Sequence, residues 1–257
     1  LDGDGNIPSQ LWPLLETMRD RAIAFVPASG RQCTTLSTMF GSHLQGMPII
    51  AENGTYVVRD GVDISSSTID PNLTREVITG VRQLRNDGHD VGLVVATKSI
   101  AYLERGDDPF VSHVATYYHS HRIVKDLSEH TDDVIKLSIY DFREASEATY
   151  PTMQRTAPEH QVILATPNWV DIMNPGVNKG SAVEAVQRDL GVTADQTAIF
   201  GDFLNDLEMM PMAKWSFAMA NGHPNIVKAS NYVAPPNTEN GVITVLAALL
   251  GTRVPIT

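Results

Sequence analysis

The feature that most constrains this fold is a repeated local order: a short apolar run, an abrupt polar turn, then a helix-like segment. Residues 22–27 (AIAFVP) run into Ala28-Ser29-Gly30-Arg31 and a predicted helix over 32–40. Residues 197–200 (TAIF) run into Gly201-Asp202-Phe203-Leu204-Asn205-Asp206, with a helix predicted through Met209 and Met210. Runs this short and this uniformly apolar suit strands covered on both faces, as in a parallel sheet flanked by helices. Open sheets of that kind bind ligands at the edge where their strands stop. The polar turns therefore mark the candidate site.

The beginning of the sequence is more acidic still, with Asp2 and Asp4 in Leu1-Asp2-Gly3-Asp4-Gly5-Asn6-Ile7. If an extended strand ends there, the Asp2 side chain and the Asp4 carbonyl face one ion, and the Asp4 carboxylate stands beside them. Such a pair can attack an electrophile and pass a proton to a leaving group. A calcium loop fails in both registers: Ile7 and Pro13 fill the glycine and glutamate positions of one, and Leu11 the glutamate position of the other. A catalytic pair and a plain acidic turn both remain. Apart from Leu1, the apolar residues of a strand preceding Asp2 are missing, so further residues are expected upstream.

At 257 residues the chain can hold one large domain or two smaller ones. Its formal net charge of -11 argues against nucleic acid or an anionic membrane as partner, since both select a basic surface. No apolar run reaches the roughly 18 residues of a membrane span. Cys33 is the single cysteine, which rules out an internal disulfide and fits a reducing, cytoplasmic setting. Oligomeric state is not legible.

Between about 70 and about 167 the texture changes. A helix opened by Asp70-Pro71 and closed near Gly88 is followed by runs expected as strands at 91–96, 114–118, 123–124 and 132–140. A helix at 146–154 and a strand pair at 161–165 and 169–173 complete it. This predicts an α+β unit, 69–166, inserted into an α/β unit formed by 1–68 and 167–257. His113, His119, His121 and His130 cluster in the insert. Their spacing lacks the helical zinc pair, and a solvated or substrate-facing surface is the simpler reading. Past the insert, Lys179 opens a predicted helix, where the helix dipole disfavours a cation. An anion held between Lys179 and the carboxylates would explain it, and so would an exposed lysine.

Taken in order and spacing, Asp2-Gly3-Asp4-Gly5-Asn6-Ile7, Ser29-Gly30, Lys179 and Gly201-Asp202-Phe203-Leu204-Asn205-Asp206 resemble the four motifs of the haloacid dehalogenase superfamily. The insert is similar to its class IIB cap. Glu52-Asn53-Gly54, residues 174–183 (NPGVNKGSAV) and residues 218–242 resemble the Cof-type sugar-phosphate phosphatases. The resemblance implies a Rossmann-like α/β core with an α+β cap. It also implies a Mg²⁺-dependent phosphatase acting on a small phosphomonoester, with Asp2 as nucleophile and Asp4 as acid and base. By the same resemblance Mg²⁺ is held by Asp2, Asp4 and Asp202. The phosphoryl group is bound by Gly3, Ser29, Gly30, Lys179 and Asn205, and Asp206 orients Lys179 or the metal's waters. In the cap, Lys136, His119 and Arg122 are candidates to read the leaving group. A phosphomutase on the same scaffold and a non-catalytic phosphosugar- or metal-binding protein are the alternatives.

Overall fold

The structure is a computed structural model that describes Asp2 and residues 5–254. Helix α1 (Leu11–Asp20) buries Leu11, Leu14, Leu15 and Met18, the i, i+3, i+4, i+7 stripe of a helix laid on a core. Among the described residues, 22–27 join no strand ladder. At their end the Ile50 N–H donates to the Pro27 carbonyl at 2.9 Å, and the next residue, Ala28, bridges Ile50 in parallel. That pairing leads directly into the turn before α2 (Cys33–Phe40). Strands β1 (Pro48–Ala51), β2 (Tyr56–Arg59) and β3 (Val62–Ser66) then form an antiparallel sheet.

The insert opens with α3 (Pro71–Asn86), which starts where the sequence signals it. The Asp70 carboxylate accepts the Asn72 N–H at 2.7 Å, and Pro71 takes the first helical position. Strand β4 (Val91–Thr97) pairs antiparallel with β5 (Ala101–Leu103). Next comes a helix, α4 (Asp108–Ala115), which takes the first two residues of the 114–118 run predicted as strand, and the rest of that run is turn and loop. The correction has a local cause. Asp107 caps the helix by accepting the Phe110 N–H, Pro109 sits in its first turn, and Phe110 and Val114 bury at i, i+4.

Strands β6 (His121–Ile123) and β7 (Val134–Asp141), helix α5 (Thr149–Thr156), and strands β8 (Gln161–Leu164) and β9 (Trp169–Met173) complete the unit. Its six-stranded sheet has the order β6-β5-β4-β7-β9-β8. The division at 166/167 suggested by the sequence falls inside this sheet. Thr166-Pro167-Asn168 is the turn of the β8–β9 hairpin, with the Trp169 N–H on the Thr166 carbonyl at 3.3 Å. Helices α3 and α5 cover one face, burying Val77, Met153, Val95, Ile139 and Val170 together. Each such side chain contributes about 1.5–3 kcal/mol.

The chain returns through α6 (Lys179–Leu190) to β10 (Ala198–Gly201), β11 (Trp215–Met219), α7 (Pro224–Ala229), β12 (Tyr232–Ala234) and α8 (Gly241–Leu249). Strands β10, β11 and β12 run parallel in that order. The helix predicted after Asp206 is absent. Two 3-10 turns replace it, Leu204–Asp206 and Met210–Met212, the second containing Pro211. The protein is thus a mixed α/β fold with an inserted α+β unit. Among the described residues, no helix is long and apolar enough to cross a membrane.

Candidate active site

Three segments distant in sequence meet at the carboxyl end of β10, and glycines let them meet. A Cβ on Gly180, in the first turn of α6, would stand 2.3 Å from the Glu208 carbonyl oxygen. A Cβ on Gly54 would stand 2.3 Å from the Asn178 carbonyl oxygen. The start of α6 is therefore pressed between the 206–208 loop and the Glu52–Gly54 turn. Asn178 caps it, accepting the Ser181 N–H at 2.9 Å while Ser181 Oγ accepts the Asn178 N–H at 3.1 Å.

That placement explains Lys179. Its side chain is buried, and Nζ donates to Asp206 Oδ1 at 2.6 Å. The other Asp206 oxygen accepts the Asp202 N–H at 2.9 Å and the Phe203 N–H at 3.4 Å. One buried carboxylate thus fixes both the lysine and the loop that ends β10. Asp202 opens into the cavity. Partial burial of its carboxyl and, second, the negative charge of Asp206 push it above the ordinary carboxylate range, with Lys179 opposing.

The Ser-Gly turn faces them. The Ser29 N–H donates to the Ile50 carbonyl at 3.0 Å, and Ser29 Oγ accepts the Arg31 N–H at 3.1 Å, which leaves the hydroxyl proton to donate elsewhere. A Cβ on Gly30 would come within 3.0–3.3 Å of the Asn53 side chain. Asn53 accepts from Asn205 Nδ2 at 3.0 Å, tying the turn's neighbour to the loop after β10.

Ser29, Gly30, Lys179, Asp202, Asn205 and Asp206 line one cavity of about 400 Å³. The insert closes it with Tyr117, Lys136, Ser138, Trp169 and Asp171. Asp2 is half-buried, and its Oδ1 accepts the Asn6 N–H at 2.8 Å. Gly3 and Asp4 lie outside the described residues. The expected metal set therefore has one member, Asp4, outside the described residues. Among the described residues no three His, Cys, Asp or Glu side chains form a metal-ligand cluster. Asp202 still suits a hard cation, being a carboxylate that opens into the cavity beside the second carboxylate of Asp206.

The insert's histidines do not converge. His113 stacks on Tyr140 with Nε2 3.1 Å from its hydroxyl, His130 stacks on Tyr102, and His121 Nδ1 lies 2.8 Å from the Tyr118 carbonyl. His119 and Arg122 are exposed, and of the three insert candidates only Lys136 lines the cavity.

Asp171 and Ser138 are not singled out by the sequence motifs, although a signal exists. In the apolar strands VIKLSIY and WVDIM, Lys136 and Ser138 share one face of β7, and Asp171 stands opposite Ser138 in register. Polar residues at two-residue spacing on a buried strand mark a functional face.

Residues 1–246 match the model of the haloacid dehalogenase-like hydrolases. The 5-amino-6-(5-phospho-D-ribitylamino)uracil phosphatase of Escherichia coli is 28% identical over 93% of this chain and 88% of its own length. A haloacid dehalogenase-like hydrolase from Bacteroides thetaiotaomicron shares the fold, with a TM-score of 0.84 at 20% identity, covering 96% of this chain and 94% of that one. The subclass IIB sugar phosphatase BT4131 also superposes, with a TM-score of 0.77 at 20% identity over 96% of this chain and 92% of that one. The motifs of the sequence, the fold and a match over nearly the whole length agree: this chain belongs to the haloacid dehalogenase-like hydrolase family.

Proposed function

We propose that this phosphatase hydrolyses a small sugar phosphate or sugar-alcohol phosphate through an aspartyl-phosphate on Asp2. The observation that carries the reading is the buried Lys179–Asp206 pair, which shares one cavity wall with the Ser29-Gly30 turn and with Asp202. A dianion is attracted to that cation, to the Ser29 hydroxyl and to the Gly30 N–H, and Asn205 completes its surround.

The Asp2 carboxylate attacks phosphorus as the bond to the leaving oxygen breaks, and Asp4 supplies that oxygen with a proton. Asp4, now ionised, removes a proton from water. The water oxygen attacks the same phosphorus, and phosphate leaves as the Asp2 carboxylate is restored. Asp2, Asp4 and Asp202 would hold Mg²⁺. The ion, when bound, screens the repulsion between carboxylate and phosphate and neutralises charge on the phosphoryl oxygens. Asp206 keeps Lys179 aimed and fixes the backbone at Asp202.

The E. coli relative is named for a substrate carrying its phosphate on a ribityl chain. A polyhydroxylated leaving group suits a roof that carries both polar and aromatic side chains. The test is phosphate release from a panel of sugar and sugar-alcohol phosphates, with Mg²⁺ or chelator, by wild type and Asp2→Asn. Release that needs the metal and vanishes in Asp2→Asn supports the reading. Release that survives in Asp2→Asn rejects it.

A further inference from the structure

Two residues assigned above to the phosphoryl group are held in place from the insert. The Gly30 carbonyl accepts Lys136 Nζ at 2.9 Å, although Lys136 belongs to β7. The Gly30 carbonyl shares its peptide with the Arg31 N–H, which donates to Ser29 Oγ. An ammonium on that oxygen polarises the peptide and strengthens the bond that orients the serine hydroxyl.

Asn205 is held by a second chain of bonds. Its Nδ2 donates to Asn53 Oδ1, and Asn53 Nδ2 donates to Asp171 Oδ2 at 2.9 Å. Asp171 Oδ1 accepts Ser138 Oγ at 2.6 Å, and Ser138 in turn lies 3.0 Å from the Tyr118 hydroxyl.

The two chains meet at the Lys136 ammonium, which also faces Glu52. Lys136 and Glu52 are 2% and 1% exposed, with Nζ 2.5 Å from Oε2, yet among the described residues neither Glu52 oxygen has a well-formed hydrogen bond. Asp171 Oδ2 is 3.8 Å from the same ammonium. Burial alone would push Lys136 down, but Asp171 and Glu52 outweigh it and hold it well above its ordinary value. The turn presenting Glu52 and Asn53 has both residues in the left-handed region, at φ 52° and 58°. Neither is glycine, so strain is held where core and insert meet. Lys136 faces the cavity, but its ammonium is engaged by the core and is not free to read a leaving group.

We propose that Lys136 and Asp171 are positioning residues that complete the phosphate site when the insert is docked. Lys136 orients the Ser29-Gly30 turn, and Asp171, through Asn53, orients Asn205. The inference rests on the proposed phosphate-binding roles of Gly30 and Asn205.

The test uses Lys136→Met, Asp171→Asn and the double variant Lys136→Met/Glu52→Gln, which removes both members of the buried pair together should the single lysine variant fold poorly. Inorganic phosphate binding is measured by calorimetry with Mg²⁺ present, and turnover is measured on 4-nitrophenyl phosphate and ribitol 5-phosphate. Each folded variant is expected to bind phosphate about tenfold more weakly, the size of one lost charge-assisted hydrogen bond. It should also lose kcat by a similar factor on both substrates. Unchanged phosphate binding, or a loss confined to KM for ribitol phosphate, overturns the inference in favour of leaving-group recognition. A lowered melting temperature with an unchanged phosphate Kd in the folded fraction overturns it in favour of a structural role. If wild type hydrolyses neither substrate, the binding arm still decides. Weakened phosphate binding then supports positioning while hydrolysis is rejected, and a wild type that binds no phosphate rejects both.

Discussion

Lys179 Nζ lies 2.6 Å from Asp206 Oδ1, with both side chains buried at the first turn of a capped helix. The helix dipole disfavours a cation there, and the carboxylate offsets that cost. Lys179→Met should remove charge facing the phosphoryl group and lower kcat about 10²–10³-fold. It also leaves Asp206 buried without its cation, a loss of about 3–5 kcal/mol. Asp206→Asn keeps the shape and the hydrogen-bonding capacity, so it should cost less stability while still lowering kcat. Equal kcat for Lys179→Met and wild type would remove Lys179 from the mechanism.

The carboxyl of Asp202 is pushed up by partial burial and by Asp206, and a bound cation reverses that penalty. Magnesium should therefore stabilise the folded protein. At one hundred times its Kd the gain is about 2.7 kcal/mol, or roughly 5–10 °C in Tm for a chain of this length. Asp202→Asn should shrink the shift. Coincident melting curves in saturating Mg²⁺ and in chelator would count against a metal at Asp202.

Much of this site is legible in the sequence because its residues sit where strands stop. Turns and helix starts point to Ser29, Gly30, Lys179, Asp202, Asn205 and Asp206, and one cavity gathers them. What misleads is local apolarity without context. Residues 114–118 read as strand, yet Asp107 and Pro109 upstream make their beginning the end of a helix. Trp169–Met173 reads as a strand either way, and only its pairing with β7 and β8 assigns it to the insert. Asp171 carries no motif. A polar residue in an apolar strand marks it, but its partners lie 118 and 33 positions away in sequence, at Asn53 and Ser138, and the local pattern does not name them.

Gly54 offers a sharp test of the packing that builds the site. Its φ of +97° is strained for any side chain, at about 1–3 kcal/mol. A Cβ there would also overlap the Asn178 carbonyl, which is backbone and cannot swing aside. Gly54→Ala should cost about 2–4 kcal/mol in all, a fall of roughly 5–15 °C in Tm. Gly61, with φ +78° and nothing within 4 Å of where a Cβ would stand, isolates the backbone part. Gly61→Ala should therefore be milder, and comparable losses for the two would show that the contact with Asn178 is not tight.

The insert carries its own acid-sensitive clasp. Arg82 Nη2 lies 2.5 Å from Glu104 Oε1 and 2.7 Å from Asp126 Oδ1. The Arg82 hydrogen bond first, then the Ser128 N–H, lower the Asp126 pKa to about 2. Its unfolded value is about 3.9. A depressed folded pKa contributes stability above the unfolded value, and that contribution drains away as pH falls through the folded one. Between pH about 4 and about 2 the clasp should therefore stop tying α3, which carries Arg82, to the turn at residues 126–128. Arg82→Gln should return Asp126 toward the ordinary carboxylate range, read directly from the pH dependence of its side-chain carboxyl carbon resonance. Because the Asp126 side chain is about half exposed, the change in global stability should be small and should shrink further in high salt. An Asp126 midpoint that stays low in Arg82→Gln would assign the shift to the Ser128 N–H instead.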